Sequence, residues 1–395
     1  MRARFEPRVS GVGLQRRYAV RVANRAVRVG VDVTPLLGSR TGVGQFVGTL
    51  VDGFAGNAAV ELCPFTVSVR GWRSTSGKTS QRWPMPARPL RALWRKSNLA
   101  PIEWWTGSLN VVHGTNFVVP PSKQAVQLVS VHDMAAVRFP KLCTPDTLQY
   151  PGLIARAVAR GAHIHTDSVF VANEVIDHFA IEPARVHTIH LGLPPKSHAV
   201  NPCIPKHAGV GDAAPYVLAV GTVEPRKDYP TLLRAFGLLA ANDPDLRLVI
   251  VGQSGWGERA FGEALALLPP KVSARIDRLG FVDERERIRL LAGASLLVYP
   301  SVYEGFGLPP LEAMAAGVPV VATAVGSLPE ILGDGARFVP PARVDELAEA
   351  ILCVHSDSVV RAGLVSRGHQ RAARYTTKAM IDGFSSLYSQ LGGLK

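Results

Sequence analysis

Two carboxylates and two cations stand where they can hold a phosphorylated ligand. Glu304 and Glu312 share the segment 299–317, YPSVYEGFGLPPLEAMAAG, and Arg226 and Lys227 are adjacent in the segment 220–231, VGTVEPRKDYPT. Leu296 to Tyr299 reads as a strand, and Pro309 and Pro310 suit the first turn of a helix. Gly305, Phe306, Gly307 and Leu308 then form a loop at a helix N-terminus, where free backbone N–H groups and the positive end of the helix dipole point outward. A phosphate or a sugar oxygen can dock there. Glu304 precedes that helix and Glu312 sits about one turn inside it, so the two carboxylates reach different parts of one extended ligand and do not form an acid/base pair. A carboxylate acceptor suits the paired hydroxyls of a ribose or hexose. Arg226 can grip a phosphate bidentately, while Lys227 adds a compact point charge. Taken one at a time, these patterns also fit plain structural roles: glycines in a turn, a glutamate favoured by the helix dipole, a solvated cation pair opening a helix.

The elements that must position these side chains alternate between strand and helix. Val27 to Val33 is a β-branched run that enters the glycine loop 38–44, GSRTGVG, and an apolar helical stretch follows from Phe46 to Phe54. Further strands are expected at Val60 to Val69, Leu109 to His113 and Ala125 to Val131, and strands alternating with helices imply a parallel sheet. A second set begins after a Pro-, Lys- and Gly-rich stretch, with strands at Tyr216 to Val220, Leu246 to Val251, Ile276 to Phe281, Leu296 to Pro300 and Val318 to Thr323. The expected organisation is a basic leader at 1–26, a first Rossmann-like domain at 27–200, a linker at 201–215, a second Rossmann-like domain at 216–372, and a terminal helical segment at 373–395 that can pack back on the first domain. The helix itself is expected over Thr377 to Leu391. No period of 20 to 50 residues repeats, which excludes a solenoid.

With 395 residues the chain exceeds what one hydrophobic core usually serves. Its 47% hydrophobic and 19% charged residues are a globular composition. Forty-four Lys and Arg against 31 Asp and Glu give a formal charge of +13, which favours polyanionic partners without choosing among them. The 4 cysteines, Cys63, Cys143, Cys203 and Cys353, form no CxxC pair and read as reduced core thiols. No aspartate-rich metal pair is visible, and neither a metal nor a resident cofactor is expected. No stretch reaches the roughly 18 consecutive apolar residues of a membrane span. The arginine-rich first 28 residues lack an apolar secretory core, so a cytoplasmic location is expected. Arg88 to Lys96 followed by Trp104 and Trp105 mixes cations with large aromatics, as a segment touching the inner face of an anionic membrane does; an amphipathic helix packed on the first domain gives the same pattern.

Glu304 and Glu312 inside EGFGLPPLEAMAAG, with GTVEPRKD upstream and SVHDMAAVRFP in the first half, resemble the retaining glycosyltransferases of family 4 over roughly residues 27 to 391. The resemblance implies an α/β chain of the GT-B fold, two Rossmann-like doubly wound domains facing each other across a cleft. It implies a nucleotide-sugar co-substrate and a glycan or lipid-linked hydroxyl acceptor. In that family pattern Arg226 and Lys227 meet the diphosphate, Glu312 binds the ribose, and Glu304 with the loop amides at Phe306, Gly307 and Leu308 holds the transferred hexose, Gly305 belonging to the same donor-binding loop. Gly42, Val43 and Gly44 match the family's glycine loop, and His132 matches a histidine near the hexose; without the family, His132 and Asp133 read as a turn cap. His113 lines the same cleft or merely packs beside it. Many members carry Arg directly after the strand's glycine, whereas Thr222 follows Gly221 here. The compact GTVEPRK form resembles a bacterial branch rich in GDP-mannose-dependent mannosyltransferases. Its pattern implies same-face attack, with Arg226, Lys227 and the helix N-terminus stabilising the leaving diphosphate. The rivals are a GT-B enzyme with a UDP- or ADP-sugar donor, a silent scaffold, and a nucleic-acid-binding protein; the last lacks any recognised binding module.

Overall fold

The computed structural model describes residues 26–38, 42–74, 79–193, 215–241 and 243–393. The expected leader and most of the expected linker lie outside these residues, as do Cys203 and positions 39–41 of the glycine loop. Among the described residues, twelve strands form two all-parallel sheets. The first contains β1 (Val27–Asp32), β2 (Val60–Phe65), β3 (Val111–Gly114), β4 (Val126–Val131), β5 (His163–Thr166) and β6 (Val186–Thr188), in the order β2-β1-β3-β4-β5-β6. The second contains β7 (Tyr216–Val220), β8 (Arg247–Val251), β9 (Ile276–Gly280), β10 (Leu296–Tyr299), β11 (Val320–Thr323) and β12 (Ala336–Val339), in the order β12-β11-β10-β7-β8-β9. Helices cover both faces, so the central strands are apolar throughout: Val217, Leu218, Leu248, Val249, Ile250, Leu296, Leu297 and Val298 are all fully buried.

Each sheet reverses its strand order once, between β1 and β3 in the first and between β7 and β10 in the second. Ligands of open parallel sheets bind beyond the carboxyl ends of the strands at such a reversal. Asp32 ends β1, and Gly221 follows β7.

Three expectations need correcting. The strand begun at Val60 stops at Phe65 and does not reach Val69, because Ser68 turns the chain into the helix Val69–Ser74, its Oγ accepting the Gly71 N–H at 3.0 Å. The helix expected from Phe46 begins at Gly42, inside the glycine loop. The strands β5, β6 and β12 were not foreseen; the first two are short and carry His or Thr where an apolar alternation would have announced them.

The helix Thr377–Gly393 returns to the first sheet. Met380, Phe384, Leu387, Tyr388 and Leu391 recur at helical spacing and are buried in one cluster with Val29, Val31, Phe46, Leu50 and Val111. The chain's exit from the first sheet and its return run side by side: Leu193 N–H donates to the Tyr375 carbonyl at 2.8 Å, and Thr377 Oγ donates to the Leu193 carbonyl at 2.8 Å. No helix of the described residues is long and apolar enough to cross a membrane.

Candidate functional site

A cleft of about 1190 Å³ lies between the two strand-order reversals. Arg226 and Lys227 sit in the single turn Pro225–Lys227 after β7, and Glu304 sits in the loop after β10; the Val302 N–H joins the two loops by donating to the Arg226 carbonyl at 2.9 Å. The three side chains form one ion cluster. Lys227 Nζ donates to Glu304 Oε1 at 2.6 Å and to the Tyr299 hydroxyl at 2.6 Å. Arg226 Nη1 donates to Glu304 Oε2 at 3.0 Å and to the Tyr303 carbonyl at 3.1 Å, and Nη2 donates to Glu224 Oε1 at 2.8 Å. Ser301 Oγ adds a further bond to Glu304 Oε1 at 2.7 Å.

Burial alone would raise the Glu304 pKa, but Arg226 and Lys227 outweigh it and bring it down to about 2. Burial would likewise discharge Arg226, yet Glu304 and Glu224 hold its guanidinium firmly protonated. The cations are not saturated. Arg226 has about five N–H donors and uses three on these contacts; Lys227 has about three and uses two. Among the described residues, donors therefore remain on both for an anion in the cleft.

Glu312 also lines the cleft, 3% exposed. Its Oε1 accepts from Gln45 Nε2 of the first domain at 3.0 Å, and its Oε2 pairs with Arg287 Nη1. Gly42 and Val43 form the start of the helix Gly42–Gly53 and line the cleft with Gln45, whereas Gly44 is buried and turned away from it. A Cβ at Gly42 would lie 3.9 Å from Leu308 Cδ1, so the N-terminus of this helix faces that of the helix Leu308–Ala315. Two positive dipole ends thus lie close together beside the cleft.

Gly305, Phe306, Gly307 and Leu308 line the cleft together. Gly307 has φ 98°, the left-handed region that glycine adopts without strain, and caps the helix. Gly305 is required for a different reason: a Cβ there would stand 1.8 Å from the His132 carbonyl oxygen. The loop's peptides are clamped from both domains. Ser327 donates its N–H at 3.0 Å and its hydroxyl at 3.1 Å to the Glu304 carbonyl, and Ser168 of the first domain donates its hydroxyl to the Gly305 carbonyl at 2.8 Å. In a planar trans peptide the following N–H points the opposite way, so these clamps fix the directions of the Gly305 and Phe306 N–H groups.

His132 lies just beyond β4, 8% exposed, and lines the cleft. Its Nδ1 meets Asp167 Oδ2 at 2.7 Å and its Nε2 meets the Thr115 carbonyl at 2.8 Å. Both partners only accept, so both ring nitrogens carry hydrogen and the ring is an imidazolium. Burial opposes that charge, but Asp167 prevails and the pKa is raised. In this arrangement His132 is a fixed cation with no free nitrogen to act as a base. His113 does not reach the cleft: it is fully buried, between Tyr388 and Ser130.

The pattern of residue types gave no notice of Gln45, Asp167, Ser168, Arg287 or Ser301. Ser301 and Arg287 had a usable signal, standing beside or within charged motifs, in YPSVYEG and DERER. Among the described residues no group of three or more His, Cys, Asp or Glu side chains is gathered to hold a metal ion.

The family model described as glycosyl transferases group 1 matches residues 204–371. The chain is 31% identical over 274 residues to the O-antigen chain mannosyltransferase B of Escherichia coli, covering 67% of this chain and 70% of that one. It is 33% identical over 186 residues to the MMP alpha-(1->4)-mannosyltransferase of Mycolicibacterium hassiacum, 46% of this chain and 42% of that relative. Among solved structures, HepE of Anabaena in complex with UDP and glucose matches in fold with a TM-score of 0.70 at 16% identity, covering 92% of this chain and 100% of that one.

Proposed function

The chain belongs to the glycosyl transferases group 1 family, has the GT-B fold and is a hexosyltransferase; from that premise we propose that it transfers mannose from GDP-mannose, with retention, to a hydroxyl acceptor in glycan, polysaccharide or glycolipid assembly. The observation that carries this reading is the Glu304–Arg226–Lys227 cluster, whose cations keep donors unused among the described residues, in a cleft that two helix N-termini also line. A diphosphate fits that space, and the mannosyltransferase relatives support the sugar. Glu312 receives the ribose hydroxyls, and Glu304 with the loop amides receives the hexose.

The chemistry of Glu304 supports same-face attack over a covalent intermediate on that residue. A carboxylate held by Arg226, Lys227 and Ser301, with a pKa of about 2, is a weak nucleophile and a weak base. The leaving diphosphate oxygen then takes the acceptor's proton, while the spare N–H groups of Arg226 and Lys227 stabilise the charge that develops as the anomeric bond breaks. The His132 imidazolium adds fixed positive charge on the opposite wall. The N-terminal domain also offers a surface for an anionic membrane: Leu90, Trp94 and Trp105 are buried, while Trp83, Leu99 and Trp104 are exposed among the exposed Arg88, Arg95 and Lys96. Co-sedimentation with anionic but not zwitterionic vesicles tests that contact.

The donor is tested by thermal stabilisation with GDP, UDP, ADP and their sugar conjugates, since a ligand that binds only the folded state raises its melting temperature. The reading expects GDP and GDP-mannose alone to do so. A response confined to UDP or ADP compounds moves the enzyme to another donor, and no response to any nucleotide removes the donor-site assignment.

A further inference from the structure

At the rim of the cleft the second domain presents a tryptophan whose ring faces meet no aromatic or cationic partner among the described residues. Trp256 lies in the loop between β8 and the helix Glu258–Ala266, lines the cleft, and is 48% exposed. Its Nε1–H crosses to the first domain and donates to the Leu142 carbonyl at 2.8 Å. The loop that carries it is pinned beneath: the Gly257 N–H donates to the Val223 carbonyl at 2.9 Å, and a Cβ at Gly255 would lie 2.5 Å from that same oxygen. The indole is thus held at one edge and at its base. Among the described residues no aromatic ring or guanidinium covers its faces.

Two carboxylates line the same cleft, and the Glu224 backbone packs against the loop that carries Trp256. Asp133 of the first domain lines the cleft and accepts the Ala135 N–H on Oδ1, leaving Oδ2 without a partner among the described residues. Among the described residues, Glu224 of the second domain accepts from Arg226 on Oε1 alone. A large, rigid, apolar plate with one wet face, beside acceptors suited to paired hydroxyls, matches a pyranose ring: its C–H face covers the indole and its hydroxyls reach the carboxylates. A bare small polyol or a lipid tail uses only half of these groups.

We propose that Trp256, with Asp133 and Glu224, forms a subsite for a sugar ring of the acceptor, so that the hydroxyl acceptor is part of a glycan. This rests on the hexosyl-transfer reading and names its second substrate. The position favours the acceptor over the donor, because Trp256 touches the first domain at the rim, while the ion cluster and Glu312 line the cleft beside the paired helix N-termini.

The test uses an α-linked mannotriose as probe, titrated calorimetrically into the full chain with and without GDP, alongside a separate titration of GDP. Wild type is expected to bind the trisaccharide with a shift of indole emission. Trp256→Ala should weaken that binding about tenfold or more, the loss of one aromatic anchor, with GDP affinity unchanged. Trp256→Phe keeps a stacking face but loses the bond to Leu142, and should retain most of the affinity. Absence of trisaccharide binding by wild type, equal binding by Trp256→Ala, or Phe as poor as Ala would overturn the proposal, the last by making Trp256 a latch between domains. A parallel loss of GDP affinity in Trp256→Ala would overturn it too, giving the indole to the nucleobase. If wild type binds the trisaccharide but no GDP, the donor assignment fails and the sugar subsite stands.

Discussion

One buried polar network lines the cleft and another lies behind its first-domain wall, with Phe46 between, and they are built on opposite rules. In the first domain Tyr388, His113, Ser130 and His165 form a chain with bonds of 2.6, 2.8 and 2.9 Å that ends on the Ile189 carbonyl at 3.0 Å. That carbonyl can only accept, so His165 Nε2 carries hydrogen. With a neutral ring, Ser130 must donate to His165, His113 Nε2 to Ser130, and Tyr388 to His113. Burial keeps both histidines uncharged, His165 with a pKa lowered to about 4 and His113 also held well below the usual imidazole range. Every group in the chain is used, and nothing remains for a ligand. In the second domain the Glu304 cluster is ionic, and its cations keep donors in reserve. The difference teaches how to tell scaffold from site when both are buried and polar: count what is left over after the protein's own bonds are made.

Substitutions should separate the two networks. The largest effect belongs to Glu304→Gln. Transfer should fall about 10³-fold, as for loss of one preorganised group acting on the transition state, while GDP still binds and raises the variant's melting temperature at least as much as it does for wild type, because the diphosphate replaces the missing counter-charge. Lys227→Ala should weaken GDP binding about 10- to 100-fold, the worth of a charge-assisted bond; calorimetry showing normal GDP affinity would sink the phosphate assignment. Tyr388→Phe strands the His113 nitrogen and should cost about 1–3 kcal/mol of stability in denaturant unfolding, with kcat and KM unchanged. A loss of catalysis there would break the contrast.

The contrast can be sharpened with pH. Glu304 has a pKa of about 2 against an ordinary 4.5, so the stability it lends is complete above pH 4.5 and is lost as pH falls from there towards 2. Asp32, buried at the end of β1 with Thr34 as its hydrogen-bond partner, is raised by burial from 3.8 to about 6. Its carboxylate therefore opposes folding increasingly as pH rises from 3.8 to 6. Asp32→Asn should stabilise the protein by about 1–3 kcal/mol at pH 7.5 and hardly at all at pH 3.5. The smallest expected effect is that of Ser168→Ala, which frees the Gly305 carbonyl and should lower kcat about tenfold or less with GDP affinity unchanged; rescue by Ser168→Thr would show that the hydroxyl is what counts.

Legibility in the sequence followed chain proximity. The apolar runs of β1, β7, β8 and β10 announced themselves, and so did the loop from Glu304 to Leu308, because prolines, glycines and a preceding strand define it locally. Arg226, Lys227 and Glu304 were recognisable one by one, but their mutual pairing was not: it depends on β7 and β10 lying side by side, a matter of strand order. Gln45 and Ser168 were invisible for the same reason at longer range, since their partners Glu312 and Gly305 are in the other domain. His113 and His132 looked alike as histidines at strand ends; only their neighbours, a hydroxyl pair for one and a carboxylate for the other, separate a neutral relay from a fixed cation.

The returning helix Thr377–Gly393 bears on how the protein is made. The first sheet is complete in the chain at Thr188, yet the side chains that close its core, Phe384, Leu387, Tyr388 and Leu391, are synthesised only after the whole second domain. Domains tend to fold in the order in which they leave the ribosome. Here the domain that emerges first must wait, with an apolar face and His113 uncovered, until the one that emerges second has been translated. Its vulnerable period is thus set by the elongation time of the second domain, and ribosome stalling within that domain prolongs the exposure of the first.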